Sequence, residues 1–393
     1  MSFIDEFGWP RAALAGVFSM ARIESSLLGP IEGFLIDKYG PRKIMFSGIL
    51  IMGIGFILLT RVSSFTMFSL LFVGMVALGH SCSSTIPVVV AIVNWFRRKR
   101  SLALGIAASG TGVGGLMLPC LAWIITHYGW RGAMAASGIA ILAVGMPLSL
   151  VMRHKPEQYG YLPDCDASLS FEASVPTEES SPLPRGHEKG LEGSKAVDVD
   201  FTPAHAIKTQ AFWLLAIAFA LRQLVNNGII IHQIPHLRST GISLEWAATV
   251  LGAVGFISIT GRLGFGWLGD LFEKRRLMIL SFVLIGIGSL MCAYLQYWWQ
   301  VVIFVALYAP GYGAGNVLQD ALRAEYFGRS YIGTIRGLMS FVQLIGTAVG
   351  PIFAGWVYDA TGSYQVAFQV FALCSAAGVV CFLVVRRPNP AVS

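Results

Sequence analysis

Charged side chains inside long apolar runs are the residues of this chain with chemistry to offer. Arg262 lies eight residues before Asp270, Arg222 lies twelve residues beyond Gln210 in a second run, and Arg22 shares a third run with Glu24. At a rise of about 1.5 Å per residue, Arg262 stands roughly 12 Å from the end of its helix, and Arg222 and Arg22 roughly 18 Å from the ends of theirs. Ions at that depth of a bilayer are costly, so they face a wet cavity or a partner. A guanidinium there pairs bidentately with a carboxylate and stays charged at any working pH. The placement predicts a site for a small organic anion, with Arg262 as its first ligand and Arg222 and Arg22 beside it. A structural arginine bonded to a neighbouring helix is the other reading of each.

Polar companions extend the pattern. Asn226 is one turn beyond Arg222 and Asn227 one turn beyond Gln223, which gives a polar patch suited to substrate contact or to helix-to-helix hydrogen bonds. His80, in LGHSCSS, lines the cavity or is a satisfied core histidine, whereas His232 and His236 read as interfacial. Glu24 is two positions from Arg22 and points to a different face, so it is a candidate proton-coupling site, the alternative being an ion pair across helices. GTGVGG at 110–115 satisfies GxGxxG formally, but no strand precedes it and no acid follows at the required distance. Its glycines read as a surface for close helix packing. The six cysteines show no CxxC spacing, and no nucleophile, base and acid cluster occurs. The expectation is neither an enzyme nor a protein with a metal or other cofactor.

The elements that carry these residues are membrane helices. The 393 residues are 55% hydrophobic and 12% charged, with mean hydropathy +0.66, against about 25% charged in ordinary soluble chains. We read an all-α integral membrane protein. With roughly 20 residues needed per crossing, about eleven spans are expected, near 10–36, 43–61, 66–94, 100–127, 131–152, 210–235, 244–269, 277–296, 299–322, 332–358 and 364–385. The net charge of +7 comes from basic residues clustered between spans, which are topology signals and no nucleic-acid surface. Lys38, Arg42, Lys43, Arg97 to Arg100, Arg153, Lys274 to Arg276, Arg323, Arg329, Arg386 and Arg387 fall on one side, which is the cytoplasmic one by the positive-inside rule. The expected organisation is an N-terminal transmembrane half (1–152), a cytoplasmic flexible linker (153–209), a C-terminal half (210–387) and a cytoplasmic tail (388–393). The linker holds ten of the 21 acidic residues. No cleavable signal is visible in Met1 to Trp9.

A repeat joins the halves. GFLIDKYGPRK at 33–43 returns as GWLGDLFEKRR at 266–276, and WFRR at 95–98 returns as YFGR at 326–329, each about 230 residues on. With these motifs the chain resembles the major facilitator superfamily, two six-helix halves around a cavity open alternately to either side. The likeness is sharpest to the monocarboxylate-porter and oxalate/formate-antiporter branch, through FGWPRAALAGVFSMARI, NWFRRKRSLALGIAASGTGVGGLMLP, GRLGFGWLGD and GPIFAGWVYDATGSY. The resemblance implies about 5+6 helices here instead of 12, the family's first helix being absent. It implies a gating motif at Gly33, Asp37, Gly40 and Arg42, repeated at Gly266, Asp270 and Arg275, whose acids pair with nearby Lys or Arg when the cytoplasmic side is closed. It makes Arg262 the carboxylate-binding arginine of the eighth helix. Some oxalate/formate relatives set a lysine opposite it in the penultimate helix; Gln343 stands near that place, which favours a monocarboxylate over a dicarboxylate. The function implied is secondary transport of small organic anions in the cell (inner) membrane by a monomer, with a proton or counter-anion as coupling partner. The runner-up readings are an exporter of amphiphilic or drug-like compounds and a non-transporting sensor.

Overall fold

Gly40 shows why the charged punctuation ends one helix and starts another. Its backbone (φ 88°, ψ 154°) lies where glycine is favoured, and it closes α1 (Arg11–Tyr39). Pro41, which has no N–H to lose at a first helical position, opens α2 (Pro41–Leu59). The computed structural model describes residues 6–115, 117–165 and 200–388. Most of the expected linker, 166–199, and all but the first residue of the expected tail therefore lie outside the described residues.

Helices α3 (Phe65–Leu71), α4 (Leu78–Ser83) and α5 (Thr85–Trp95) form one apolar run, with a π-helical turn at Phe72–Ala77 and a break at Ser84. Then come α6 (Arg100–Gly115), α7 (Leu118–Ala140), α8 (Met146–Val151) and the short α9 (Pro203–Lys208). Six long helices follow: α10 (Gln210–Ser239), α11 (Leu244–Leu271), α12 (Lys274–Ala293), α13 (Trp298–Phe327), α14 (Ile332–Thr361) and α15 (Gln365–Val384). Among the described residues nine helical runs are long and apolar enough to cross a membrane. Of the expected spans, α1, which carries Arg22, Glu24 and Glu32, and the 16-residue α6 are not among them.

Inside α7 the backbone of Gly129 leaves the helical region (φ 71°, ψ 174°). Contacts show what this does. Ser101 meets Asp270 at one end of the molecule, Arg131 Nε donates to the Thr60 carbonyl at the far end of α2, and Trp95 Nε1 donates to the Arg153 carbonyl back at the first end. The chain thus crosses before Gly129 and returns after it. At the far end Glu6 accepts from Trp130 Nε1 and Arg131 Nη1, both at 2.5 Å, and these two donors hold its carboxyl below the usual range. Backbone in the Gly129 region is essentially closed to other residues. Gly129→Ala is therefore expected to cost about 1–3 kcal/mol, read as a lowered thermal unfolding midpoint in detergent.

Helices α10–α15 pack on one another around buried Phe282, Phe304, Phe368 and Phe371, and α1–α8 form a second group with its own apolar cluster at Val17, Leu59, Phe68 and Val76. The groups meet mainly along two pairs, α1 against α14 and α6 against α11. At the Asp37/Asp270 end these pairs touch backbone to backbone. A Cβ on Gly33 would lie 2.1 Å from Gly333 O, one on Gly337 2.1 Å from Gly29 O, and one on Gly105 2.5 Å from Arg262 O. Towards the other end Gly16, Gly110, Gly114, Gly252 and Gly255 meet nothing within 4 Å. The two groups are therefore joined at the basic end and splayed at the opposite one.

Candidate functional site

The splay leaves a chamber of three connected recesses. The innermost, about 440 Å³, is lined by Arg262, Arg336, Asp320, Asn316, Gln319 and Thr111 among others. Ser84, Thr85 and Arg336 join it to a recess of about 210 Å³ that also takes in Ser25, His80 and Ser81. Ser25, Ser26 and His80 continue into about 660 Å³ bordered by Arg22, Gln223 and Asn227.

Arg262 crosses between the helix groups. From α11 its Nη1 donates to the Ala108 carbonyl at 2.8 Å and to Thr111 Oγ1 at 2.6 Å, both on α6, while Nε is buried with no partner. The side chain is thereby aimed, with donor capacity left for a ligand. Arg336 of α14 lines the same recess; its Nε donates to Asp320 Oδ1 at 2.9 Å, and among the described residues its two terminal nitrogens make no hydrogen bond. Both arginines are about nine-tenths buried. Behind them Asp320 also accepts from Arg323 Nη1, and the Arg323 guanidinium lies over the Phe219 ring at 4.8 Å. Arg222 adds a fourth guanidinium, donating from Nη2 to Tyr312 O and Asn316 Oδ1. Four cations against one carboxylate make this wall electropositive, and a low-dielectric surround strengthens its pull on an anion.

Several expected ligands are placed elsewhere. Arg222 is 1% exposed and does not line the chamber; it holds Asn316, which does. Asn226 is equally buried, its Oδ1 accepting from Tyr308 OH at 3.2 Å, because the helix turns that face into α13 and gives Gln223 and Asn227 to the chamber. Gln343 is buried among helices with Nε2 unpartnered and lines none of the recesses. The inference drawn from it is corrected, since Arg336, two turns earlier on the same helix, brings a cation to the chamber. Arg22 and His80 do line it. Glu24 is half-buried beneath the surface, with Oε2 unpartnered.

The gating acids also bond differently from expectation. Asp37 accepts from Gly333 N (3.0 Å), Thr334 N (2.7 Å) and Thr334 Oγ1 (2.7 Å), and Asp270 from Ser101 N (2.8 Å) and Leu102 N (3.0 Å). Each acid thus caps the second and third residues of a helix in the other group, where free amides and the helix dipole favour negative charge. Among the described residues neither acid is in an ion pair with a lysine or arginine. Arg275 instead donates to the Phe382 and Leu383 carbonyls at the end of α15, and Arg42 is exposed, with no partner among the described residues. Arg329 adds a tie across the same end, from Nη2 to Glu157 at 2.5 Å. The expected linker's first and last described stretches dock on repeat-related loops, Asp164 on the amides of Arg97 and Arg98 and Asp200 on those of Arg329 and Ser330.

Arg336, Asp320 and Arg323 were not anticipated as site residues. Arg323 was assigned to a loop, yet α13 runs on to Phe327. The signal was present in the i, i+3 spacing of Asp320 and Arg323, which puts opposite charges on one helix face.

A family model described as Major Facilitator Superfamily matches residues 1–270 and 211–393. Monocarboxylate transporter 12-B of Danio rerio is 25% identical over 390 residues, covering 96% of this chain and 80% of its own. An uncharacterized MFS-type transporter of Bacillus subtilis, YcxA, is also 25% identical, with 94% and 84% covered. Among solved structures, the Escherichia coli fucose:proton symporter FucP superimposes with TM-score 0.71 at 14% identity over 95% of this chain and 91% of that one. The human organic anion transporter MFSD10 gives 0.65 at 14%, over 97% and 87%.

Proposed function

We propose, from the premise that this chain belongs to the Major Facilitator Superfamily, that it is a multi-pass secondary transporter of small organic anions working by alternating access. The observation that carries this reading is the pair Arg262 and Arg336, each about nine-tenths buried and both lining one chamber between the helix groups, with Arg262 Nε left unpartnered. Relatives named monocarboxylate transporters put lactate- and pyruvate-sized acids first. The second guanidinium makes oxalate a fair competitor. With the basic end cytoplasmic, the conformation seen is closed inward and open outward, and transport requires the caps of Asp37 and Asp270 to release while the splayed end closes. Proton symport or anion exchange supplies the driving force.

Uptake of radiolabelled lactate, pyruvate, formate and oxalate into proteoliposomes, with and without a pH gradient, tests this. Saturable uptake of at least one is expected, lost about tenfold or more in Arg262→Gln and partly kept in Arg262→Lys. No uptake of any of them, together with efflux of an amphiphilic dye, would point to an exporter.

A further inference from the structure

Glu32 belongs neither to the closure nor to the basic wall. It is 2% exposed, its Oε2 accepting from Ser81 Oγ at 2.7 Å and its Oε1 lying 3.8 Å from Cys82 Sγ. Glu24, about two turns earlier on α1, buries an oxygen with no partner. Among the described residues neither carboxyl is in an ion pair. The helices packed on α1 bring few charges. From α4 come Cys82 and, on the recess side, His80; from α14 comes Arg336, whose Nε is engaged by Asp320. α5 and the π-helical turn carry no charged residue, and those of α2, Arg42 and Lys43, stand in its first turn beside Gly40.

A carboxylate ion this deep without a cation is costly, which favours the neutral acid. A route to the chamber is present. Ser81 Oγ lies 2.9 Å from Ser25 Oγ, and both serines line the recess that opens past His80. We propose that Glu32 is the proton-carrying group of this transporter, loaded from the chamber through Ser25 and Ser81, with Glu24 as the second carboxyl of the pocket. A proton from chamber water joins Ser25 Oγ, which passes its own to Ser81 Oγ, which passes its own to Glu32 Oε2. Only O–H bonds change, and a hydroxide or water conjugate base stays in the chamber. One anion on Arg262 with one proton on Glu32 makes an electroneutral load. The proposal rests on the anion-transport reading for its physiological sense, and its test separates the two.

In proteoliposomes, Glu32→Gln is expected to lose pH-gradient-driven accumulation about tenfold or more while keeping exchange of internal for external labelled anion, because exchange needs no proton release. Ser81→Ala slows accumulation without removing it. Accumulation by Glu32→Gln equal to that of the parent overturns the proposal. A substrate-free arm covers the case in which none of the four anions moves: the infrared C=O band of a protonated carboxyl, identified by its shift in D2O, is weakened in Glu32→Gln. An unchanged band overturns the proton site. A weakened band with no anion flux overturns the anion reading alone.

Discussion

Gly337→Ala is expected to disfavour closure of the basic end and to slow turnover with it. The new Cβ would fall 2.1 Å from the Gly29 carbonyl oxygen and 2.7 Å from Pro30 Cα, both backbone, so no side chain can move aside. α1 and α14 must separate, and overpacking of that kind costs about 1–3 kcal/mol or more. The same substitution costs nothing in the conformation where these helices are apart. The equilibrium therefore shifts roughly 5- to 150-fold towards the state open at this end. A cysteine introduced at Ser340, whose Cβ lies 3.8 Å from the site of a Gly29 Cβ, reports it. In a background without the six native cysteines, a maleimide applied from the basic side labels it in Gly337→Ala and spares it in the parent. Gly264→Ala, where nothing lies within 4 Å, serves as the control and is expected to behave as parent. Parent-like transport by Gly337→Ala would show that this contact does not form the gate.

The second large effect concerns folding. Asp320→Ala leaves Arg323, 1% exposed, without the one anionic partner it has among the described residues, and frees Arg336 Nε as well. Removing one member of a buried ion pair costs about 3–5 kcal/mol, because the charge left behind is uncompensated. The unfolding midpoint in detergent is expected to fall steeply, with poor yield of folded protein. Arg323→Met in the same background should recover part of the loss, since an apolar side chain of similar volume needs no counter-charge. If the double variant is no better than Asp320→Ala alone, the cost does not come from the stranded guanidinium.

Arg262 and Arg336 show how far the sequence reaches. Arg262 stood out because a guanidinium deep in an apolar run has few uses, and its depth followed from counting residues. Arg336 sits only four positions inside its helix, where a charge on a helix end near the membrane surface is unremarkable. Its role depends on the closed end rising far enough to make the floor of the chamber. Asn226 and Gln223 make the same point within one helix. They are neighbours in a polar patch, and only the packing of α13 against α10 determines that Asn226 meets Tyr308 while Gln223 meets the chamber.

By itself the sequence determined that the chain crosses a membrane many times, that it repeats a motif at a spacing of about 230 residues, and in which stretches most of the long helices lie. These are local matters of hydropathy, charge and glycine or proline punctuation, and they survive in one dimension. What Asp37 and Asp270 bond to was decided only by the tertiary structure. The amides they cap belong to helices 296 and 169 residues away in the chain, and free helix N-termini carry no side-chain signature. The same holds for the chamber's donors. A guanidinium becomes a ligand site or a brace according to which of its nitrogens the neighbouring backbone leaves free, and that is fixed by helix crossings rather than by composition.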